Sequence, residues 1–127
     1  MRLDPVSIPG RLLSWYGLLG APAAWTVLHV SGVGIATASC STFGETNDIP
    51  FQPWSLALSI VCAAVAVGAL LAAIIVWWST RGVDDSAPPP VGRVHFLAVI
   101  GLVIAPLFLA IILMSGIAGT SLGCTQG

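Results

Sequence analysis

The chain has 127 residues, of which 57% are hydrophobic and only 7% are charged; its formal net charge is −1 and its mean hydropathy is +0.99. A soluble domain normally carries about 25% charged residues, so this composition excludes a water-soluble globule. Four basic residues are too few for a basic patch, which excludes nucleic acid as a partner.

Three apolar runs make up most of the chain. Each is free of Asp, Glu, Lys and Arg, and each is longer than the roughly 20 residues that a helix needs to cross about 30 Å of hydrocarbon. They predict an all-α membrane protein in which residues 1–127 form one domain. Its three transmembrane helices are expected at about 11–39, 54–79 and 93–118.

The arginines predict the orientation of the chain. Short loops rich in Lys and Arg stay in the cytoplasm, and all the basic residues lie before the first helix or between the second and the third: Arg2, Arg11, Arg81 and Arg93. We therefore expect a multi-pass protein of the bacterial inner membrane, with a cytoplasmic N-terminus and an extracytoplasmic C-terminus. Trp15 and Tyr16 would then be interfacial anchors at the inner surface of the membrane.

Helix 1 is expected to begin near Arg11, because the prolines before it disfavour a helix. Pro22 removes the hydrogen bond to the carbonyl of Leu18, which predicts a kink. Small residues also recur four apart, a spacing that lets another backbone approach closely, although Gly and Ala are common in membrane helices for compositional reasons as well. These pairs are Gly17 and Ala21, Gly20 and Ala24, Gly32 and Ala36, and Gly34 and Ala38.

Helices 2 and 3 carry fewer unusual residues. In helix 2, the small residues Ala64, Gly68 and Ala72 form a stripe that we expect to contact a neighbouring helix. Cys62 is interpreted as a small hydrophobic residue used in packing. Pro106 predicts a second kink, in helix 3.

The other two cysteines predict a disulfide bond. Helices 1 and 3 run in the same direction, so Cys40 and Cys124 emerge on the same, outer face. That face of a bacterial membrane is oxidising, and disulfides persist there. The alternatives are two free thiols that hold a metal ion and a redox-active pair. Metal transfer usually needs added His or Met ligands, and the outer segments contain no His, so we expect a structural Cys40–Cys124 bridge, no metal site and no cofactor.

His29 lies near the middle of the membrane or just beyond it, where an ionisable residue is a candidate functional site. As a haem or pigment ligand it would need a partner subunit, because His95 is roughly 18 Å away along the membrane normal. A proton relay would need other titratable groups in the membrane, and the helices have none. The least demanding role is a hydrogen bond, either to Thr26, Ser31 or the backbone near Pro106, or to a partner subunit.

Trp25 precedes His29 by one helical turn and lies on the same face. A tryptophan at this depth is not an interfacial anchor, and its indole N–H needs an acceptor. Trp25 and His29 therefore predict a mid-membrane contact face on helix 1. The alternative is a bulky side chain that fills space beside the Pro22 kink.

The segment Gly20-Ala-Pro-Ala-Ala-Trp25-Thr-Val-Leu-His29, followed by Cys40, resembles the first helix of a group of small bacterial three-helix membrane proteins. Genes for this group lie among those for cytochrome c oxidase subunits and related respiratory components. The resemblance covers helix 1 and Cys40 and assigns no role to His29. It implies an accessory subunit or assembly partner of a haem–copper oxidase or a similar electron-transfer complex.

The helices contain no carboxylate of the kind on which small multidrug transporters depend, and the chain shows neither a nucleophile paired with a base nor a phosphate-binding loop. We therefore expect no enzymatic activity and no small-molecule substrate. The predicted function is an accessory subunit of a respiratory complex, whose partners are membrane lipid and larger membrane subunits. Two alternatives stay open: a self-associating homo-oligomer that forms a pore or transport module, and a haem-binding protein that uses His29 at a subunit interface.

Overall fold

A computed structural model describes the backbone of residues 7–39, 51–84 and 86–121. These ranges contain three helices: α1 (Ile8–Ser39), α2 (Phe51–Thr80) and α3 (Val91–Ser121). Each is long and apolar enough to cross a membrane. The predicted all-helical architecture, with three helices long and apolar enough to span a membrane, is therefore confirmed for the described residues, and each predicted boundary lies within three residues of the observed one. The orientation of the termini stays a prediction.

Helix α1 begins at Ile8, three residues before its predicted start. Ser7 caps the helix: its Oγ accepts a hydrogen bond from the Gly10 amide, and its carbonyl accepts one from the Arg11 amide. Pro9 lies in the first turn, where a backbone N–H would have no acceptor within the helix, so the lack of an N–H in proline removes no helical hydrogen bond. Pro9 thus belongs to the helix and does not delay it.

The backbones of the three helices approach one another most closely around Gly17, Ala73 and Gly101. A Cβ atom placed on Gly17 would lie 3.0 Å from the Ala73 amide nitrogen. One placed on Gly101 would lie 3.0 Å from the Gly17 carbonyl oxygen and 3.2 Å from the Ala73 Cβ. Side chains larger than hydrogen at the two glycines would force the helices apart, so these residues set the closest approach of the bundle.

Further contacts give the relative directions of the helices. One turn beyond Gly17, a Cβ atom on Gly20 would lie 2.9 Å from the Ala69 Cβ, so α2 runs antiparallel to α1. Trp25 of α1 contacts Phe108 of α3, and Gly17 lies against Gly101, so α1 and α3 run parallel. The C-terminal ends of α1 and α3 are therefore on the same side of the bundle, as the disulfide prediction requires.

The buried face of α2 matches the predicted stripe only in part. Ala64 is exposed, and Gly68 is half-buried beneath the Tyr16 ring. Only Ala72 of the expected stripe is buried. The buried apolar residues of α2 instead follow an offset stripe between α1 and α3: Cys62, Ala66, Ala69, Ala72, Ala73 and Val76. Since α2 is apolar on every side, hydrophobic periodicity could not select this face. Cys62 is free and buried, as its interpretation as a packing residue predicts.

Both predicted kink positions lie inside continuous helices. Pro22 is an interior residue of α1 and Pro106 of α3. The Pro22 carbonyl accepts a hydrogen bond from the Thr26 hydroxyl at 2.9 Å. A hydroxyl that bonds back to the preceding turn often bends a helix, which supports a bend here, and the kinks stay predictions.

Candidate functional site: the His29 face of the first helix

Trp25 lies far from either end of the helices, as the sequence predicts. Its ring centroid is 5.7 Å from that of Phe108 in an edge-to-face arrangement, and Phe108 is near the midpoint of α3. The indole also packs against the main apolar core, to which Ala21, Ala24 and Leu28 contribute. Trp25 therefore joins α1 to α3 at mid-depth.

His29 stacks on Trp25 one turn later. The two ring centroids are 4.7 Å apart and the ring planes are inclined by 37°. Unlike Trp25, the His29 side chain is exposed on the surface of the bundle. The predicted pair of rings on one face is therefore present, with the indole directed inward and the imidazole outward.

The intramolecular hydrogen bond proposed for His29 is not formed with any residue in the described part of the chain. The Thr26 hydroxyl, one of the expected partners, donates to the Pro22 carbonyl instead. A threonine within a helix readily bonds to the carbonyl four residues earlier, so this local bond competes with one to His29. The hydrogen bond to a partner subunit, the other form of the hypothesis, stays a prediction.

The Trp25 indole nitrogen is also without a hydrogen-bond acceptor among the described residues, although it is buried. Leaving a buried donor unsatisfied costs about 1–3 kcal/mol. Trp25 and His29 thus place ring nitrogens that have no hydrogen-bond partner among the described residues close together in an apolar region. The Trp25 nitrogen faces the interior of the bundle, whereas the His29 ring is exposed, so it is the imidazole that a group outside the described chain could reach.

The C-terminal half of α1 extends this surface. A Cβ atom placed on Gly32 would meet no atom within 4 Å, in contrast to Gly17 in the other half of the helix. Trp25, His29 and Gly32 are spaced i, i+4 and i+7, so they share one face of α1. We call these three residues the His29 face.

His95 occupies a different and buried position. It lies at the start of α3, and its Nδ1 is 2.9 Å from the hydroxyl oxygen of Thr80 at the end of α2. Since the Thr80 hydroxyl donates to the Val76 carbonyl, the imidazole N–H donates to Thr80. This hydrogen bond links the last residue of α2 to the first turns of α3. The proximity of the two residues could have been predicted, because both flank the same short loop.

The two histidines do not converge on one ligand. About 20 Å of helical rise separates His95 from Phe108, the neighbour of Trp25 in α3. Within the ranges that the structure covers, no group of three His, Cys, Asp or Glu side chains is arranged to hold a metal ion. The separation of the two histidines along the bundle agrees with the expectation that they do not clamp one haem.

Tyr16 makes a contact that differs from its predicted role as an interfacial anchor beside Trp15. Its hydroxyl donates to the Val65 carbonyl at 2.9 Å, and Val65 is at the midpoint of α2. The small residues Gly20 and Gly68 leave room for the ring to lie along the helices. The glycine at position 68 is the signal in the sequence that could have revealed this contact.

The predicted disulfide partners, Cys40 and Cys124, lie outside the described residues. The arrangement that can be described is a face of α1 on which the exposed His29 ring stacks on the Trp25 ring. Comparisons of the chain with known protein families, with curated proteins and with solved structures found no match.

Proposed function

We propose that this protein is a small accessory subunit or assembly partner of a larger bacterial inner-membrane complex, to which it binds through the His29 face. The exposed position of His29 carries the proposal. A polar ring at this depth, without a hydrogen bond to the described part of its own chain, calls for a partner outside it.

The energetics favour a helix of another subunit as the partner. Hydrocarbon offers the imidazole no hydrogen bond, whereas a hydroxyl or carbonyl on a neighbouring helix does. Such bonds contribute about 1–2 kcal/mol between membrane helices in peptide studies. Gly32 lets the partner backbone approach α1 closely, and the Trp25 ring supplies a rigid apolar contact beside it.

The respiratory identity of the complex comes from the resemblance of Gly20–His29 and Cys40 to small proteins encoded among cytochrome c oxidase subunits. We propose a haem–copper oxidase or a related electron-transfer complex. The distribution of arginines supports insertion with the N-terminus in the cytoplasm. The proposed role is structural, with no catalytic group and no small-molecule substrate.

Affinity purification of the tagged chain from native membranes in a mild detergent tests the proposal. We expect oxidase subunits to co-purify, as identified by mass spectrometry and haem absorption. His29→Leu should reduce their recovery on the order of tenfold, since loss of about 1.4 kcal/mol lowers affinity by that factor. Gly32→Leu should reduce it as well, by blocking close approach.

Val27→Ala is the matched control, because Val27 is exposed on the opposite side of the same helix turn. It should leave recovery unchanged. Purification of a homo-oligomer without other subunits would overturn the proposal in favour of a self-associating module. A haem spectrum in the isolated chain, abolished in His29→Ala, would overturn it in favour of haem binding.

A further inference from the structure

A cavity of about 230 Å³ opens between the N-terminal turns of α1 and α3. The α1 side chains around it come from Arg11, Ser14 and Trp15, and α3 contributes Arg93 and Leu97. Pockets for drug-sized ligands occupy roughly 300–1,000 Å³, so this cavity suits a smaller group. It is separate from the His29 face, because Arg11 and His29 are about 27 Å apart along α1.

Two positive charges converge on this cavity from different helices. Among the residues that the structure describes, neither the Arg11 nor the Arg93 guanidinium forms an ion pair. Neither helix has an acidic residue in its first turn. Arg81 differs, since its guanidinium lies 4.3 Å from the centroid of the Trp78 ring. The cavity thus concentrates cationic groups for which the described chain supplies no anion.

The remaining wall of the cavity is suited to an amphiphilic ligand. Trp15 is about half exposed, and Leu97 lies one turn deeper along α3 than Arg93. The Ser14 hydroxyl is buried and donates to the Gly10 carbonyl, which fixes the α1 side of the cavity. Guanidinium groups therefore lie toward the helix starts, and apolar groups continue along the helices from there. An arginine fork matches the oxygens of a phosphate group.

We infer that this cavity binds the phosphate headgroup of an anionic phospholipid. Arg11 and Arg93 hold the phosphate oxygens, and the acyl chains continue along the apolar surface past Leu97. Basic pockets between transmembrane helices bind anionic headgroups by this combination of charge and depth. The inference rests on the cavity and its charges, and does not depend on the proposed partner complex.

Native mass spectrometry of the full chain in neutral detergent tests the inference, with phosphatidylglycerol as the probe. Phosphatidylcholine is the zwitterionic comparison, and inorganic phosphate is the free-anion comparison. We expect retention of phosphatidylglycerol over both. The double variant Arg11→Gln/Arg93→Gln should weaken its binding about 30-fold, because each arginine near an anionic headgroup contributes roughly fivefold.

Arg81→Gln is the control for general surface charge and should change binding less than about twofold, because Arg81 lies outside the cavity. Circular dichroism checks that each variant retains its helices. If the double variant loses them, Arg93→Gln alone should still weaken binding roughly fivefold. Equal retention of phosphatidylcholine, an equal loss in Arg81→Gln, unchanged binding by the arginine variants, or saturation by inorganic phosphate without lipid would overturn the inference.

Discussion

The Tyr16 hydroxyl makes a hydrogen bond that joins two helices near the middle of α2. It donates to the Val65 carbonyl at 2.9 Å. A Cβ atom placed on Gly68 would lie only 2.6 Å from the hydroxyl oxygen, so the glycine is required for this position of the ring. One polar atom on α1 is thereby satisfied by the backbone of α2, without any polar side chain on α2.

Tyr16→Phe removes this bond and keeps the ring. We expect the free energy of unfolding to fall by about 0.6 kcal/mol, and by no more than about 1.7, the range found for hydrogen bonds between membrane helices. Unfolding in mixed detergent micelles measures the difference. Ser79→Ala is the control, since the Ser79 hydroxyl donates to the Ile75 carbonyl of its own helix. Equal stability of Tyr16→Phe and the unsubstituted chain would contradict the assigned role.

At the scale of the helix, the two halves of α1 differ although both contain small residues four apart. Gly17 and Gly20 are buried against α2. A Cβ atom placed on Gly32 or Gly34 would have no neighbouring atom within 4 Å, and Val33 between them is 62% exposed. Gly17 and Gly20 therefore pack within the bundle, whereas the part of α1 around Gly32 and Gly34 is open to another chain.

Gly17→Leu and Gly32→Leu test this division with the same substitution in the same helix. Gly17→Leu overpacks the meeting point with Ala73 and should lower the free energy of unfolding by about 1–3 kcal/mol. Gly32→Leu enters open space and should change it by less than about 0.5 kcal/mol. Detergent unfolding followed by circular dichroism gives both values. Similar losses in the two variants would mean that the C-terminal half of α1 also packs in the isolated chain.

At the scale of the whole molecule, the parallel directions of α1 and α3 bear on the predicted disulfide. Their C-terminal ends lie on one side of the bundle, and Cys40 and Cys124 follow those ends in the chain. Cys62, by contrast, is buried within α2. A bridge between Cys40 and Cys124 would link the first and third helices on the side where both end.

Labelling of intact cells with a membrane-impermeant maleimide tests the bridge and the orientation together. Cys40 should resist labelling until a reductant is added, because a disulfide sulfur does not react with maleimide. In Cys124→Ser, Cys40 should be labelled without reduction. Labelling of Cys40 in the unsubstituted chain would refute the bridge, and a lack of labelling in Cys124→Ser would refute the extracytoplasmic position. Cys62→Ser controls for reaction within the membrane.

The shared face of Trp25 and His29 could be predicted because residues four apart lie together on any α-helix. The hydrogen-bond partner of His29 could not be predicted in this way. Thr26 is a suitable partner by sequence distance, but its hydroxyl bonds to the Pro22 carbonyl, and the imidazole remains on the surface. The parallel directions of α1 and α3, which the sequence predicts, put Arg11 and Arg93 at the same end of the bundle. That the two arginines line one cavity could not be predicted, because it depends on which faces of the two helices pack together.

The sequence by itself determined the number of helices, their lengths and their boundaries to within three residues. These follow from local physics: a backbone in hydrocarbon must satisfy its own hydrogen bonds, and a helix must be long enough to cross. Only the tertiary structure decided which side of each helix is buried, how deep the Tyr16 hydroxyl lies and that His29 faces outward. All three helices are apolar on every side, so the steric fit of Gly17, Ala73 and Gly101 sets the packing, and hydrophobic pattern does not.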